Sequence, residues 1–103
     1  MFVALYEMTA KSGRENDFEK AWAEWTDAIH RVRGSWGSRL HKTEVPRVYV
    51  AYAQWPSKEA YDRPGEGFTE TEKESSKRMF DAAEAIKTLH LMDVCNDRLK
   101  PSR

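Results

Sequence analysis

Residues 48–61 predict a β-strand that leads directly into a short helix. Within residues 48–55 nearly every side chain is β-branched, aromatic or small, which is typical of a strand with little polar surface. Pro56 has no N–H to donate to a neighbouring strand, so we expect the strand to end there. Ser57 is suited to cap the helix, and Glu59 places negative charge in its first turn. Any fold for this chain has to accommodate this strand–turn–helix unit.

An amphipathic helix is predicted upstream of this unit. Large apolar side chains follow one another at intervals of four, three, four and three residues, at Phe18, Trp22, Trp25, Ile29 and Val32. These intervals place the side chains on one stripe of a helix, and the acidic residues of the segment lie off that stripe. Gly34 follows directly, and glycine readily adopts the left-handed conformation found at helix ends. We therefore expect a long helix that ends at Gly34.

The remaining strands are predicted from composition and connection length. Residues 2–8, 38–45 and 91–95 have the composition of strands. The short connection at residues 46–47 favours an antiparallel hairpin between the second strand and residues 48–55, because so few residues cannot support a longer crossover.

A second long helix is predicted to begin near Thr69, which forms a capping-box pattern with Glu72. Its second half is expected to carry apolar side chains at helical spacing, at Met79, Ala83, Ile86 and Leu89. The resulting order is β-α-β-β-α-β, an α+β fold of ferredoxin-like type with an antiparallel sheet and helices on one face. The other sheet face would then be bare, so we expect two copies of the chain to form a homodimer.

Length and composition limit the classes of function. With 103 residues the chain has room for one domain, which we place at residues 1–103. Lys plus Arg and Asp plus Glu number 17 each, which argues against nucleic-acid and membrane partners. The single Cys95 excludes an intramolecular disulfide, and the N-terminal residues form neither a signal peptide nor a membrane span, so we expect a cytoplasmic protein. The three histidines lack metal-ligand spacing, so no metal or other cofactor is predicted.

The sequence resembles the antibiotic biosynthesis monooxygenase family, whose members are small proteins that form dimeric α+β barrels. The resemblance is most specific in residues 52–61, where Trp55, Ser57, Ala60 and Tyr61 have the spacing of the family. It implies one pocket per subunit, between the sheet and the helices. It also implies candidate activities, since several members oxygenate aromatic polyketides or quinols without metal or flavin, and others degrade haem.

The resemblance carries over residue by residue. The pocket tryptophan of the family falls on Trp55, and the helix aromatic after it falls on Tyr61. The polyketide-oxidising members have an asparagine where this chain has Ala51. The haem-degrading members have an asparagine where this chain has Tyr6, and a haem-binding histidine after the tryptophan, where this chain has none. Haem degradation is therefore not expected, and Ala51 leaves oxidation of the polyketide type open.

Strand alternation predicts which side chains face the pocket. One face of residues 48–55 presents Tyr49, Ala51, Ala53 and Trp55, and the corresponding face of the first strand includes Tyr6. Trp22 and Trp25 would roof the site, leaving an apolar space suited to a small aromatic ligand. The alternative is that these aromatic side chains are simply core. Lys77 or Arg78 could attract an anionic substrate at the pocket mouth, or could belong to a solvated charge pattern.

We predict a cofactor-independent monooxygenase that acts on a small aromatic, polyketide or quinol-like substrate and on molecular oxygen. Such a reaction requires a group that holds or deprotonates the substrate hydroxyl. The candidate catalytic residues are Trp55, Tyr61, Tyr6 and His41, with His41 as a possible base. The candidate substrate-binding residues are Trp22, Trp25, Ala51 and Tyr49. The alternative from another class is a non-catalytic dimer that binds a small molecule.

Overall fold

The computed structural model describes residues 1–101 of the chain and confirms the α+β fold of ferredoxin-like type. Its elements follow in the order β1 (Phe2–Ala10), α1 (Glu15–Arg33), β2 (Ser38–Lys42), β3 (Val48–Trp55), α2 (Lys58–Asp62), α3 (Glu70–Ala82) and β4 (Ala83–Asp93). No helix in the described part of the chain combines the length and apolar character needed to cross a lipid bilayer.

The strands form one antiparallel sheet in the order β2-β3-β1-β4. The register between β1 and β3 pairs Phe2 with Trp55, Tyr6 with Ala51 and Met8 with Tyr49. Residues paired directly across two antiparallel strands point to the same face. The side chains predicted to share a face on β1 and β3 therefore do so, and we call this helix-covered side the inner face.

Helix α1 ends where the sequence predicts. Gly34 has a φ of 75° and its N–H bonds to the carbonyl oxygen of His30, which closes the last turn. Helix α2 is capped by Ser57, whose hydroxyl accepts from the N–H of Ala60 at 3.1 Å. Helix α3 begins with the predicted capping box of Thr69 and Glu72. Each of these ends satisfies backbone groups that a helix terminus leaves without partners.

The predicted continuation of the second long helix is wrong. Helix α3 ends at Ala82, and Ala83, Ile86 and Leu89 belong to β4, which runs along β1 from Ala83 to Asp93. Pairing with β4 satisfies the backbone N–H and C=O groups along the second edge of β1, and a longer helix would leave these groups without partners. Because β4 has an irregular register, its apolar side chains do not alternate strictly and the period of two is hard to recognise.

The second strand is also shorter than predicted, since β2 ends at Lys42 and not at residue 45. A tight turn follows, in which the hydroxyl of Thr43 donates to the carbonyl oxygen of Val48 at 2.9 Å. Within this turn Arg47 has a φ of 68°, so the chain reverses one residue before β3 begins. The hairpin is thus closed by local hydrogen bonds and not by longer strands.

Helices α1 and α3 cover the inner face and bury the core. The main buried cluster contains Met8, Ala10, Phe18, Ala21, Tyr49, Ala51, Met79 and Ala82. A second cluster under α2 contains Phe2, Trp55 and Ala60. The two clusters flank a cavity between the sheet and the helices.

Candidate functional site

A cavity of about 470 Å³ lies between the inner face of the sheet and the helices. Six of the eight predicted site residues line it, namely Tyr6, Trp22, Trp25, Ala51, Trp55 and Tyr61. Its volume falls within the range of about 300–1,000 Å³ that is usual for small-molecule sites. The structure therefore brings most of the candidate site together around one space.

Two tyrosine hydroxyls form the polar centre of the cavity. The hydroxyl oxygens of Tyr6 on β1 and Tyr61 on α2 lie 3.2 Å apart. Each hydroxyl has one hydrogen, so one of them donates to the other and a single O–H is left for a ligand. Burial raises the pKa of Tyr6 well above its usual value, and the hydrogen bond to Tyr61 raises it further. At neutral pH Tyr6 is therefore a hydrogen-bond donor and not a base.

Trp55 forms a rigid aromatic wall beside this pair. Its side chain is 3% exposed, and its ring meets that of Tyr61 edge-on with centroids 5.5 Å apart. The ring of Phe2 lies 5.3 Å from that of Tyr61 on another side. Contacts of this kind hold the tyrosine ring and so fix the position of its hydroxyl.

Small side chains form the floor and tryptophans line the opposite side. Ala51 and Ala53 lie on β3, opposite Tyr6 and Ala4 of β1, and their methyl groups leave the space above the sheet open. Trp22 and Trp25 project from α1, and the Trp25 ring packs on Phe68 at a centroid distance of 4.8 Å. A flat ring could lie on this floor beneath the tryptophans.

The structure adds Arg33, which the sequence reasoning missed. Its guanidinium carbon lies 4.9 Å from the centroid of the Trp55 ring, and its side chain donates to the carbonyl oxygen of Tyr61. A signal was present, because Arg33 comes four residues after Ile29 and so continues the stripe of α1 that faces the cavity. The stripe therefore ends in a charged residue, one position beyond the predicted end at Val32.

Two candidate residues lie elsewhere. His41 on β2 is exposed, and its Nδ1 lies 2.9 Å from the carbonyl oxygen of Val50, away from the cavity lining. Tyr49 is buried in the main core, where its hydroxyl donates to Glu19 at 2.6 Å. Burial and this hydrogen bond raise the pKa of Tyr49 to about 12. Tyr49 contacts Phe18 and so supports the cavity from behind without lining it.

The charged residues of α3 are also outside the cavity lining. Arg78 pairs with Glu24 at 3.1 Å, and Lys77 pairs with Glu74 at 3.7 Å. Both therefore belong to the solvated charge pattern, which was the alternative considered for them. Within residues 1–101, no group of three or more His, Cys, Asp or Glu side chains is arranged to hold a metal ion.

Comparison with known proteins identifies similar chains. A family model described as antibiotic biosynthesis monooxygenase matches residues 1–63. Among solved structures, a candidate antibiotic biosynthesis monooxygenase from Bordetella bronchiseptica has a TM-score of 0.72 at 21% identity, with 92% of this chain and 97% of that chain covered. A similar candidate from Caulobacter crescentus CB15 has a TM-score of 0.71 at 15% identity, covering 92% and 90%.

The fold is also similar to that of SnoaB, a cofactor-independent oxygenase from Streptomyces nogalater. The TM-score is 0.69 at 15% identity, with 96% of this chain and 97% of that chain covered. At identities this low the similarity shows the fold alone. No curated protein sequence matches this chain significantly.

Proposed function

The chain belongs to the antibiotic biosynthesis monooxygenase family, and on that premise we propose that its cavity oxygenates a small aromatic substrate without a cofactor. The substrate class is a phenol, quinol or polyketide. The observation that carries this proposal is the Tyr6–Tyr61 hydroxyl pair, which places one free O–H beside the aromatic and aliphatic side chains of the cavity. One such donor is suited to orient the oxygen of a flat ring.

The substrate lies on the alanine floor of β3, with Trp55 beside it. The free hydroxyl of the tyrosine pair donates to the substrate oxygen and stabilises its anion. This anion is electron-rich and reduces molecular oxygen. In an anthrone-like substrate, one oxygen atom becomes a carbonyl on the attacked carbon. The other oxygen atom leaves as water together with the two hydrogens of that carbon.

Oxygen consumption tests this proposal directly. Protein treated with a chelator is assayed against a panel of anthrone-like phenols and hydroquinones. We expect uptake that depends on the protein and is unaffected by the chelator. Trp55→Phe should lower it about tenfold or more, because the smaller ring no longer holds Tyr61. Trp36→Phe is the matched control, since Trp36 is 57% exposed and lies outside the cavity lining. Full activity in Trp55→Phe would contradict the proposed site.

A second candidate function is supported by the floor of the cavity. Ala51 is 1% exposed and offers no polar atom at the position where oxidising relatives are expected to have an asparagine. A non-catalytic protein that binds the same class of ligand would show saturable binding without oxygen uptake on any member of the panel. The oxygen assay therefore separates the two candidates.

We also propose that the protein is a homodimer joined through the face of the sheet opposite the helices. On this outer face Leu5 and Tyr52 are directly paired and only half-buried, and Val50 beside them is also half-buried. Light scattering after size exclusion should give twice the mass of one chain at micromolar concentration. Val50→Asp should shift the protein towards monomer, because it places a charge in the apolar interface. A wild-type monomer would contradict this arrangement.

A further inference from the structure

We propose that the ligand of the cavity carries an ionised oxygen, a carboxylate or a phenolate, that binds Arg33. This inference rests on the proposed role of the cavity as a site for a small aromatic molecule, but it does not require that the ligand be oxygenated. It specifies the charge of the ligand and the end of the cavity at which that charge lies.

The first observation is a positive charge without a counter-charge. Among residues 1–101, no carboxylate oxygen lies within 4.0 Å of the Arg33 guanidinium. Its contacts with the protein are the carbonyl oxygen of Tyr61 and the face of the Trp55 ring. A guanidinium has five N–H donors, so most of its capacity is unused here. The Nε atom is buried and has no acceptor in the described part of the chain.

The rest of the cavity wall does not supply the missing charge. Among residues 1–101, Asp62 is the one acidic residue that lines the cavity, and its carboxylate is paired with Lys58 at 2.5 Å. A partly buried cation without an acidic partner is energetically unfavourable, and an anion entering the cavity would relieve that cost. The cavity is therefore complementary to a negatively charged ligand.

Arg33 is also held in place before any ligand binds. A Cβ atom added at Gly65 would lie 2.7 Å from Cγ and 2.9 Å from Cδ of Arg33, so the loop between α2 and α3 packs closely against this side chain. Trp55 stacks beneath the guanidinium, and Tyr61 accepts one of its hydrogen bonds. A side chain fixed in this way loses little further freedom on binding, which favours affinity.

The neighbouring groups add hydrogen-bond donors. The tyrosine pair offers one free O–H, and the Nε1 of Trp55 is buried without an acceptor among the described residues. Arg33 donates to the carbonyl oxygen of Tyr61, which places the guanidinium near the tyrosine pair. At the other end the lining includes Met8, Met79, Phe80 and Ile86. The ligand is thus oriented with its anionic oxygen towards Arg33 and its apolar ring towards α3.

Two experiments test the inference without any oxygen chemistry. In the first, calorimetry compares the dissociation constants of 2-naphthoate and 2-naphthamide, which have nearly the same shape and differ in charge. We expect the naphthoate to bind about tenfold to a hundredfold more tightly, since a charge-assisted hydrogen bond contributes more than a neutral one. In the second, the absorbance of 4-nitrophenol is followed against pH, and binding should favour its ionised form.

Variants assign the effect to one side chain. Arg33→Gln should abolish the preference for naphthoate, and Arg33→Lys should keep part of it because the charge remains without the planar fork. Lys20→Gln is the control, because it removes a positive charge from the exposed side of α1, outside the cavity lining. It should leave the preference unchanged. If Arg33→Gln does not fold, the Lys variant still provides the comparison with wild type.

The outcomes separate this inference from the proposed reaction. A preference for naphthoate alone identifies the oxygen as a carboxylate, and an effect on nitrophenol alone identifies it as a phenolate. Equal binding of both naphthyl probes, together with unchanged nitrophenol ionisation, would overturn the inference even if oxygen uptake is observed. Failure of every probe to bind would overturn it as well. A preference for naphthoate without any oxygen uptake would support the role of Arg33 and contradict only the proposed monooxygenase activity.

Discussion

The hydroxyl oxygen of Tyr6 lies 3.2 Å from that of Tyr61, although the two residues are 55 positions apart in the chain. The first is on β1, one of the two central strands of the sheet, and the second is on the short helix that follows β3. Their contact links β1 to α2 at the cavity. It leaves one O–H free, and this hydrogen is the group that the proposed reaction depends on.

Substitution of either tyrosine should impair the same step. Tyr6→Phe and Tyr61→Phe each leave one O–H but remove the partner that holds it in position. Each is therefore expected to lower oxygen uptake by about a hundredfold to a thousandfold, which is the range for loss of one placed donor to a developing oxyanion. The double variant should be little worse than either single one, because the two hydroxyls act as a unit. Steady-state oxygen uptake is measured for the two single variants and the double variant.

The control for these variants is Tyr52→Phe. Tyr52 is on β3, where it lies on the outer face of the sheet and outside the cavity lining. It should leave the rate unchanged. Strictly additive effects of the Tyr6 and Tyr61 substitutions would contradict the shared role of the pair.

Filling the floor of the cavity should block binding with little effect on folding. Ala53→Leu places a larger side chain in the open space, so naphthoate should bind at least tenfold more weakly. In a fully packed core the same change typically costs about 1–3 kcal/mol of unfolding free energy. Here we expect a smaller loss in a urea titration. A large loss of stability would contradict this expectation and indicate that the tryptophans enclose a packed core. The control is Ala85→Leu, which adds the same side chain on an exposed part of β4.

The loop between α2 and α3 should influence the cavity through Arg33. Gly65→Ala would bring its Cβ to 2.7 Å from Cγ of Arg33, and this contact displaces the side chain without altering its charge. We expect the preference for naphthoate over naphthamide to fall several-fold, as judged by calorimetry. Glu66→Ala in the same loop is exposed and should have no such effect. An unchanged preference in Gly65→Ala would show that the position of Arg33 does not depend on this contact.

The stability of α3 should depend on pH through Glu72. The side chain of Arg31 and the N–H of Thr69 both donate to its carboxylate, and they lower its pKa from 4.5 to about 2. A carboxyl with a depressed folded-state pKa stabilises the fold above its unfolded pKa and loses that effect as the pH falls. Wild type should therefore melt higher than Glu72→Gln at neutral pH, with the difference shrinking as the pH falls from about 4.5 towards 2.

The matched control is Glu70→Gln, two residues earlier on the same helix. The side chain of Glu70 is 90% exposed, and its carboxylate pairs with Lys73 at 3.5 Å. The melting temperature of Glu70→Gln should stay close to that of wild type throughout this pH range. A difference between wild type and Glu72→Gln that does not change with pH would contradict the role assigned to the Arg31 contact.

Local signals in the sequence predicted the ends of helices correctly and failed where two periodicities compete. Gly34, Ser57 and Thr69 mark helix ends through specific backbone chemistry, and each does so in the structure. Residues 79–89 were assigned to a helix because their apolar positions fit a period near 3.6. In the structure residues 83–93 form a strand because they pair with β1. That pairing depends on the arrangement of the whole sheet, which local periodicity does not report.

The site was predictable to the extent that it follows from strand alternation. Tyr6, Ala51 and Trp55 share a face because their strands pair in register, and the stripe of α1 brings Trp22 and Trp25 over them. Alternation also explains His41, which sits one residue from the core-packed Leu40 and therefore points the other way. Arg33 was missed because a charged residue at a helix end is normally assigned to solvent.

The central claim is most directly tested by incubating the metal-free protein with an anthrone-like phenol under ¹⁸O₂. Mass spectrometry of the product then reports where the oxygen goes. The account predicts one ¹⁸O atom in the product carbonyl, formed by wild type and strongly reduced in Tyr61→Phe. A product without ¹⁸O, or the absence of any product while the phenol still binds, would contradict a monooxygenase and favour the binding protein.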